Sequence, residues 1–371
     1  MPYKITAERR QIYREVSIRS KERKAAFMAK ADKRPAVLTP RLDPGVLMPE
    51  CTPISLSGLS LFSGGGGLDL GFDRAGLMHL ASFELLDICG ATLLANRPEW
   101  KVFSGPAGDV TQVDWAPYKG VDIVHGGPPC QPFSIAGAQG GPNDPRNMWS
   151  EFIRCVLAVR PAAFVAENVP GLLDPKFASF VRTHVTAPLG EHYEIRQFLL
   201  LASDFGVPQT RRRVIFVGFR RKRDSQRFRE PIPTYSAPGA TSSGLRDANL
   251  TRWSLGLPHN GFDALAPTLR SGFTGPRNTT GVVNSRASLV AWHKLGIWPN
   301  GVQRSRERAA AYPPENGHLR LSIADCAVLQ GFPESWRFEG AVYQALGQLG
   351  NSVAPPAAYH LAKAVLAALG A

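Results

Sequence analysis

The sequence has no paired cysteines and no long apolar run. Its five cysteines are scattered and none belongs to a Cys-x-x-Cys pair, which argues against a disulfide framework and a cysteine-based zinc site. No apolar stretch approaches the roughly 18 residues that a membrane-spanning helix needs, and the N-terminal residues contain no apolar signal-peptide region. We therefore expect a soluble cytoplasmic protein with no metal site.

Acidic residues are scarce relative to basic ones. The chain contains 43 Lys and Arg residues against 30 Asp and Glu residues, a formal net charge of +13 at pH 7. Such an excess indicates a polyanionic partner, either nucleic acid or an anionic membrane surface. Residues 1–34 alone carry eleven basic and four acidic residues. This arm either contacts nucleic acid or is a solvated, partly disordered extension.

A glycine-rich turn lies between strand-like and helix-like segments at residues 58–76, GLSLFSGGGGLDLGFDRAG. This order is typical of a nucleotide-binding α/β unit, where backbone N–H groups and a helix N-terminus face the ligand. A flexible loop has a similar composition. Glu84 ends the next predicted strand about 20 positions later, which suits it to accept hydrogen bonds from both ribose hydroxyls. Asp109 ends the following unit and is a candidate acceptor for an adenine amino group.

Two further predicted strands lead to groups that carry chemistry. The run VDIVHGGPP leads to Cys130, and AAFVAENVPG leads to Glu167 and Asn168. Ligands of open α/β sheets bind at the carboxyl ends of the strands. We therefore expect a thiol and a carboxyl group to face the same crevice as the glycine turn. Prolines on both sides of Cys130 restrict its backbone and hold the sulfur at a fixed depth.

Together these segments resemble the DNA cytosine-5 methyltransferase family. The matching elements, in chain order, are LFSGGGGLDLGF, FE at 83–84, GDV, GGPPCQPFS, ENV, FGVPQTRRRVIFVG, LRLSIADCAVLQGFP and QLGNSVAPP. The resemblance covers roughly residues 58–219 and 318–368. It implies an α/β fold, with a Rossmann-like S-adenosylmethionine-dependent methyltransferase sheet that has helices on both faces. A smaller, irregular target recognition domain accompanies that sheet.

The resemblance also implies a reaction and its catalytic residues. The thiolate of Cys130 attacks carbon 6 of cytosine, so that carbon 5 accepts the methyl group of S-adenosyl-L-methionine. Glu167 donates or shares a proton at N3, and Arg213 and Arg211 stabilise the charge that develops near O2. Gln131 is a candidate for orienting a water molecule. The base that removes the carbon 5 proton is not identified.

Further residues are assigned to ligands by the same resemblance. The residues expected to bind the cofactor are Phe62, Gly64, Gly66, Gly67, Glu84, Asp109, Pro129, Asn351 and Val353. Ser134 and Arg146 are candidate phosphate contacts on a glycine-rich loop that closes over a flipped-out cytosine; a solvated polar loop is the alternative. Thr268 and Arg270 are candidate DNA contacts. PTL at 267–269 resembles a short Thr-Leu element often found in the family's recognition region, and Arg side chains read base edges or hold phosphates.

Four segments follow from this reading. We predict a basic N-terminal arm and linker (1–54), a catalytic and cofactor-binding domain (55–219), a target recognition domain (220–317), and a return segment that completes the catalytic domain (318–371). Double-stranded DNA is the expected partner, without membrane contact, so the protein is expected to associate with the nucleoid. One departure from the family pattern is Ser60, where many members have an acidic residue.

Three functions are compatible with these features. The leading hypothesis is a sequence-specific DNA cytosine-5 methyltransferase of a prokaryotic restriction-modification system. Whether it has a cognate restriction endonuclease, which would act on the same site without binding this protein, is left open. The second is the family's tRNA-methylating branch. The third is a DNA-binding regulator that keeps the fold without the chemistry. The PCQPFS environment of Cys130 and the long recognition region favour the first.

Overall fold

A seven-stranded sheet forms the centre of the molecule. The computed structural model describes residues 6–30, 37–129, 147–240, 244–271, 273, 280–312 and 318–371. The strands are Ser57–Leu61 (β1), Met78–Glu84 (β2), Val102–Ser104 (β3), Ile123–Gly126 (β4), Ala163–Asn168 (β5), Glu194–Leu201 (β6) and Arg212–Phe219 (β7). Their order in the sheet is β3-β2-β1-β4-β5-β7-β6. Strands β1 to β5 are parallel, whereas β7 runs antiparallel between β5 and β6. The predicted Rossmann-like sheet is confirmed.

Helices precede, connect and follow these strands. Up to β7 they are Ala7–Lys30 (α1), Gly67–Arg74 (α2), Asp87–Asn96 (α3), Trp149–Val159 (α4), Ala178–Phe180 (α5) and Ala187–Gly190 (α6). A π-helical stretch, Val181–Thr186, joins α5 to α6. After β7 they are Lys222–Arg227 (α7), Thr251–Ser254 (α8), Arg286–Lys294 (α9), Arg306–Ala310 (α10), Ile323–Gln330 (α11), Val342–Asn351 (α12) and Pro355–Leu369 (α13).

The central strands are buried on both faces, as parallel sheets usually are. Successive side chains alternate between two apolar cores because the side-chain period of a strand is two residues. Ile123 and Val165 belong to the core that contains α2 and the C-terminal helices. Val124 and Ala166 belong to the core that contains α4. Helices therefore cover both faces of the sheet, as the sequence predicts.

The C-terminal helix α13 packs directly on α2, the helix that follows the glycine turn. A Cβ atom at Gly71 of α2 would lie 2.4 Å from the Cβ of Ala358 and 2.6 Å from the backbone nitrogen of Tyr359. Only glycine allows such a close approach between two helices. The last helix of the chain thus supports the cofactor side of the first strand-helix unit.

The region between β7 and α11 is smaller and more irregular than the seven-stranded sheet with its helices. It contains short helices and a two-stranded parallel sheet, in which Ile297–Gln303 (β8) pairs with Leu319–Ser322 (β9). Its buried residues Leu255 and Trp292 belong to the same core as α2 and α13. The region is irregular, whereas its status as a separate target recognition domain, with limits at 54, 219 and 317, remains a prediction.

The side chains that the structure describes in the N-terminal helix α1 are exposed. Ile12, Val16 and Ile18 are each half exposed or more, and no side chain described for α1 is buried. None of the helices in the described ranges is both long and apolar enough to cross a membrane.

Candidate active site

The glycine turn joins β1 to α2 through a run of left-handed backbone conformations. Phe62, Gly64 and Gly66 have φ angles of 56°, 54° and 80°. A Cβ atom at Gly67, the first residue of α2, would lie 2.2 Å from the carbonyl oxygen of Val353. Glycine is therefore required at Gly66 for its conformation and at Gly67 for the close approach of the segment before α13.

A cavity of about 1010 Å³ opens above this turn, at the carboxyl ends of β1, β2, β4 and β5. Eight of the nine residues expected to bind the cofactor line it: Phe62, Gly64, Gly67, Glu84, Asp109, Pro129, Asn351 and Val353. The ninth, Gly66, lies in the turn itself, where its backbone nitrogen donates to the oxygen of Ser63 at 2.9 Å. The catalytic candidates Glu167 and Arg213 line the same cavity.

Glu84 is held in place by the backbone around it. Its Oε2 accepts from the backbone nitrogen of Gly64, and its Oε1 accepts from that of Leu86, both at 2.8 Å. Burial raises the pKa of Glu84, and these backbone hydrogen bonds oppose the rise. The carboxylate thus has a fixed orientation and retains free lone pairs for two ribose hydroxyls. Asp109 accepts from the backbone nitrogen and hydroxyl of Thr111 at 3.0 and 2.8 Å.

Glu167 and Arg213 form an ion pair inside the cavity. Nε of Arg213 lies 2.5 Å from Oε1 of Glu167, and both side chains are largely buried. Burial raises the pKa of Glu167, whereas the charges of Arg213 and Arg211 lower it; the net direction is upward. The antiparallel pairing of β5 with β7 causes this meeting, because it brings the last residues of β5 opposite the first residues of β7.

The end of β5 is also tied to the segment that leads to Cys130. Nδ2 of Asn168 donates to the carbonyl oxygen of Pro128 at 3.1 Å. A Cβ atom at Gly127 would lie 2.8 Å from Oε2 of Glu167, so the backbone passes directly beside this carboxyl group. Cys130 itself lies outside the described residues. Its described neighbour Pro129 lines the cavity, which places the chain at the expected edge of the site.

Arg211 has a different environment from Arg213. It is only 1% exposed, and its guanidinium donates to the carbonyl oxygens of Gly350 and Ser352 at 2.8 and 2.6 Å. Burial lowers its pKa. Arg213 lines the cavity and Arg211 does not. The described contacts of Arg211 thus hold the backbone around Asn351. Its charge lowers the pKa of Glu167 although Arg211 does not line the cavity.

Five candidates remain, of which the structure describes two. Gln131, Ser134 and Arg146 lie outside the described residues. Thr268 donates from its hydroxyl to the carbonyl oxygen of Thr210 at 3.1 Å. The backbone nitrogen of Arg270 donates to the oxygen of Val282 at 3.2 Å. Neither residue lines the cavity, and their contact with DNA remains a prediction.

Two residues of this site were missed from the sequence. Trp336 donates from Nε1 to the carbonyl oxygen of Gly65 at 3.2 Å and so fixes the glycine turn from a distant segment. Asp69, in the first turn of α2, also lines the cavity. Burial raises its pKa to about 6. Its sequence position gave no signal of this, because an acidic residue in the first turn of a helix is ordinarily stabilised by the helix dipole alone.

Comparisons with known proteins agree with this arrangement. A family model described as C-5 cytosine-specific DNA methylase matches residues 56–262 and 271–367. The type II methyltransferase M.NgoMIV of Neisseria gonorrhoeae is 33% identical over 85% of this chain and 99% of its own length. M.NaeI of Lentzea aerocolonigenes is also 33% identical, over 85% of this chain and 76% of its own. The solved structure of a Spodoptera frugiperda DNMT2 mutant shares the fold, with a TM-score of 0.54, 19% identity, and coverage of 84% of this chain and all of that one.

Proposed function

The chain belongs to the C-5 cytosine-specific DNA methylase family, and we propose that it modifies one cytosine within a specific duplex sequence through Cys130, Glu167 and Arg213. It is a cytosine-5 DNA methyltransferase of the restriction-modification type, similar to the type II enzymes above. The observation that supports the assignment of residues is the buried Glu167–Arg213 ion pair, which lies in one cavity with the glycine turn.

The residues of the cavity fit S-adenosylmethionine, the methyl donor that we propose. A fixed carboxylate, Glu84, has lone pairs available for the ribose hydroxyls, and Asp109 lies on the same side for the adenine amino group. The glycine turn leaves room beside the backbone, because a Cβ at Gly64 would meet no atom closer than 3.9 Å. When bound, this cofactor supplies an electrophilic methyl group. Asn351 and Val353 also line the cavity.

Cys130 and Glu167 are proposed to act on the cytosine ring from opposite positions. The sulfur of Cys130 forms a bond to carbon 6, and the ring electrons move toward N3 and O2. Glu167 faces N3 and shares its proton there, which its raised pKa favours. Arg213 faces O2 and orients the carboxyl group of Glu167. Carbon 5 then gains the methyl group. A water molecule or another base takes the carbon 5 proton, the electrons of that C–H bond re-form the C5–C6 double bond and expel the thiolate of Cys130, and the N3 proton returns to Glu167.

Duplex DNA must deliver the base into this cavity. A stacked cytosine cannot present carbon 6 to a thiol, so the base is flipped out at a cost of about a few kcal/mol. The net charge of +13 provides attraction for the phosphates. We propose that Ser134 and Arg146 hold phosphates near the flipped base, and that Thr268 and Arg270 lie in the region that contacts the recognition sequence.

Bisulfite sequencing of plasmid DNA from cells that express the chain tests this function. We expect protection of one cytosine in every copy of a single short sequence. Plasmid from cells expressing Cys130→Ala, a variant that keeps the cavity but lacks the nucleophile, is the matched control and should show no protection. Absence of protection with the unchanged chain, together with methylation of transfer RNA, would move the assignment to the tRNA branch of the family.

A further inference from the structure

Most of the net positive charge of the chain lies in two short segments. Residues 1–34 contain eleven basic and four acidic residues, and residues 220–229 contain six basic residues and one acidic residue. The rest of the chain is almost neutral, because the net charge of the whole is +13. The second segment begins where β7 ends and contains α7. Its six cations, which we call the α7 basic surface, are all exposed: Arg220, Arg221, Lys222, Arg223, Arg227 and Arg229.

The α7 basic surface has a fixed orientation, because other residues of the same segment are packed against the sheet. Phe228, which follows α7, is buried and contacts Phe198 of β6 and Phe219 of β7, with ring centroids 6.0 and 5.2 Å apart. Asp224 and Ser225 of α7 are buried as well. The cations of α7 therefore occupy the solvent-facing side of the helix. This surface belongs to the folded domain.

Acidic partners do not neutralise these cations. Among the ion pairs of the described residues, only that between Arg223 and Asp224, at 3.2 Å, involves a member of the surface, and 63% of the Arg223 side chain remains exposed. The exposed acids next to the surface, Glu194 and Glu230, form no ion pair in the described part of the chain. The surface is thus open to an external polyanion.

The α7 basic surface lies at the opposite edge of the sheet from the cavity. Arg213, near the start of β7, lines the cavity, whereas Arg220 directly follows the end of β7. At 3.3 Å per residue, the strand separates these two positions by about 23 Å. The backbone nitrogen of Arg220 donates to the oxygen of Ala162 at 2.9 Å, which places it at the amino end of β5. Duplex DNA that delivers a cytosine into the cavity lies at the carboxyl ends of the strands.

We propose that the α7 basic surface binds a second segment of duplex DNA while the first segment occupies the cavity. Five of its six cations are arginines, whose planar guanidinium group pairs with phosphate oxygens through two hydrogen bonds. The six residues of α7 span about 9 Å, over which a duplex presents about five phosphate charges. The number of cations matches that charge density.

This contact goes beyond the proposed function and does not depend on the cytosine chemistry. An enzyme bound at one site would hold a neighbouring segment of the same DNA, whose effective concentration is high because the two segments are linked.

Capture of one duplex by another tests the proposal. Beads carry a short biotinylated duplex, the full chain binds to it, and a fluorescent duplex of the same length is then added. We expect the unchanged chain to retain the fluorescent duplex. The variant Arg221→Gln/Lys222→Gln should retain it about ten-fold more weakly at about 0.1 M salt, because two phosphate contacts are lost. Its Tm, its binding to the beads and its methylation activity should be unchanged.

The matched control is Lys101→Gln/Arg182→Gln, which removes two exposed cations from other elements and should behave like the unchanged chain. The proposal is wrong if the unchanged chain retains no fluorescent duplex, if Arg221→Gln/Lys222→Gln retains as much as the unchanged chain, or if the control loses as much as that variant. Polyglutamate that displaces the fluorescent duplex better than unlabelled duplex of equal charge would instead identify an acidic protein as the partner. Loss of bisulfite protection with capture intact would contradict the proposed function alone.

Discussion

Replacing Asp69 by asparagine is expected to stabilise the ligand-free protein. Burial raises the pKa of Asp69 from its ordinary value of 3.8 to about 6. Between these values the folded state binds the proton more tightly than the unfolded state, so the free energy of unfolding decreases as the pH rises. Above the folded-state pKa of Asp69 the free energy of unfolding decreases no further. The total decrease is about 3 kcal/mol, at 1.36 kcal/mol per unit of pKa difference.

An asparagine side chain has nearly the same shape as that of Asp69 and carries no charge, so its burial does not have this cost. At about pH 8 the variant should therefore gain up to about 3 kcal/mol, and at about pH 5 roughly half of that, because the wild-type carboxyl is then partly protonated. For a chain of 371 residues, the larger gain corresponds to a rise of about 4 °C in Tm. Burial lowers the pKa values of the nearby His79 and His125 to about 4 and about 3, so both imidazoles are neutral in the folded state at either pH. Their own effect on stability is the same in the two proteins and cancels from the Tm difference.

The assay is thermal unfolding of both proteins without ligand at these two pH values. The reasoning predicts a Tm difference in favour of Asp69→Asn that grows with pH. A variant that is less stable than the wild type by the same amount at both pH values would refute it. In that case the hydrogen bonds that Asp69 accepts from the hydroxyls of Ser60, Ser63 and Ser82 outweigh the burial of its charge.

Three further predictions concern chemistry, packing and DNA. Glu167→Gln should lower the methylation rate by roughly 10²–10⁴-fold with cofactor affinity retained; unchanged turnover in a tritium-transfer assay would remove it from the mechanism. Gly67→Ala should lower Tm and cofactor affinity, because its Cβ would lie 2.2 Å from the Val353 oxygen, whereas Gly190→Ala, whose Cβ meets nothing within 4 Å, should do neither. Removing residues 1–34 should leave Tm unchanged and should make DNA binding depend less steeply on salt concentration. An unchanged salt dependence would mean that the arm makes no contact with DNA phosphates.

Much of the architecture follows from local sequence signals. The glycine turn, the apolar runs before it and after it, and acids at strand ends predict a ligand site at one edge of a parallel sheet, and the structure has that sheet. These signals are local because a strand, a tight turn and a helix start each depend on a few neighbouring residues. The cavity beside Glu84 and Glu167 follows from the same rule about carboxyl ends of strands.

Contacts between distant segments are harder to predict. The hydrogen bonds of Arg211 to the backbone at 350 and 352, and that of Trp336 to Gly65, join residues far apart in sequence. No periodicity or propensity records such pairs, because they depend on how the return segment docks on the sheet. The burial of Asp69 is likewise invisible in the sequence, where it looks like an ordinary acid in the first turn of a helix.

The central claim is that the sulfur of Cys130 adds to a cytosine ring, and covalent trapping tests it most directly. DNA that contains 5-fluorocytosine at the methylated position lets the sulfur add and the methyl transfer, but the fluorine cannot leave as a proton does, so the protein stays attached. With S-adenosylmethionine present, we predict a denaturation-resistant protein–DNA complex linked through residue 130, and none with Cys130→Ala. A chain that binds cofactor and target DNA yet forms no such complex would contradict the account.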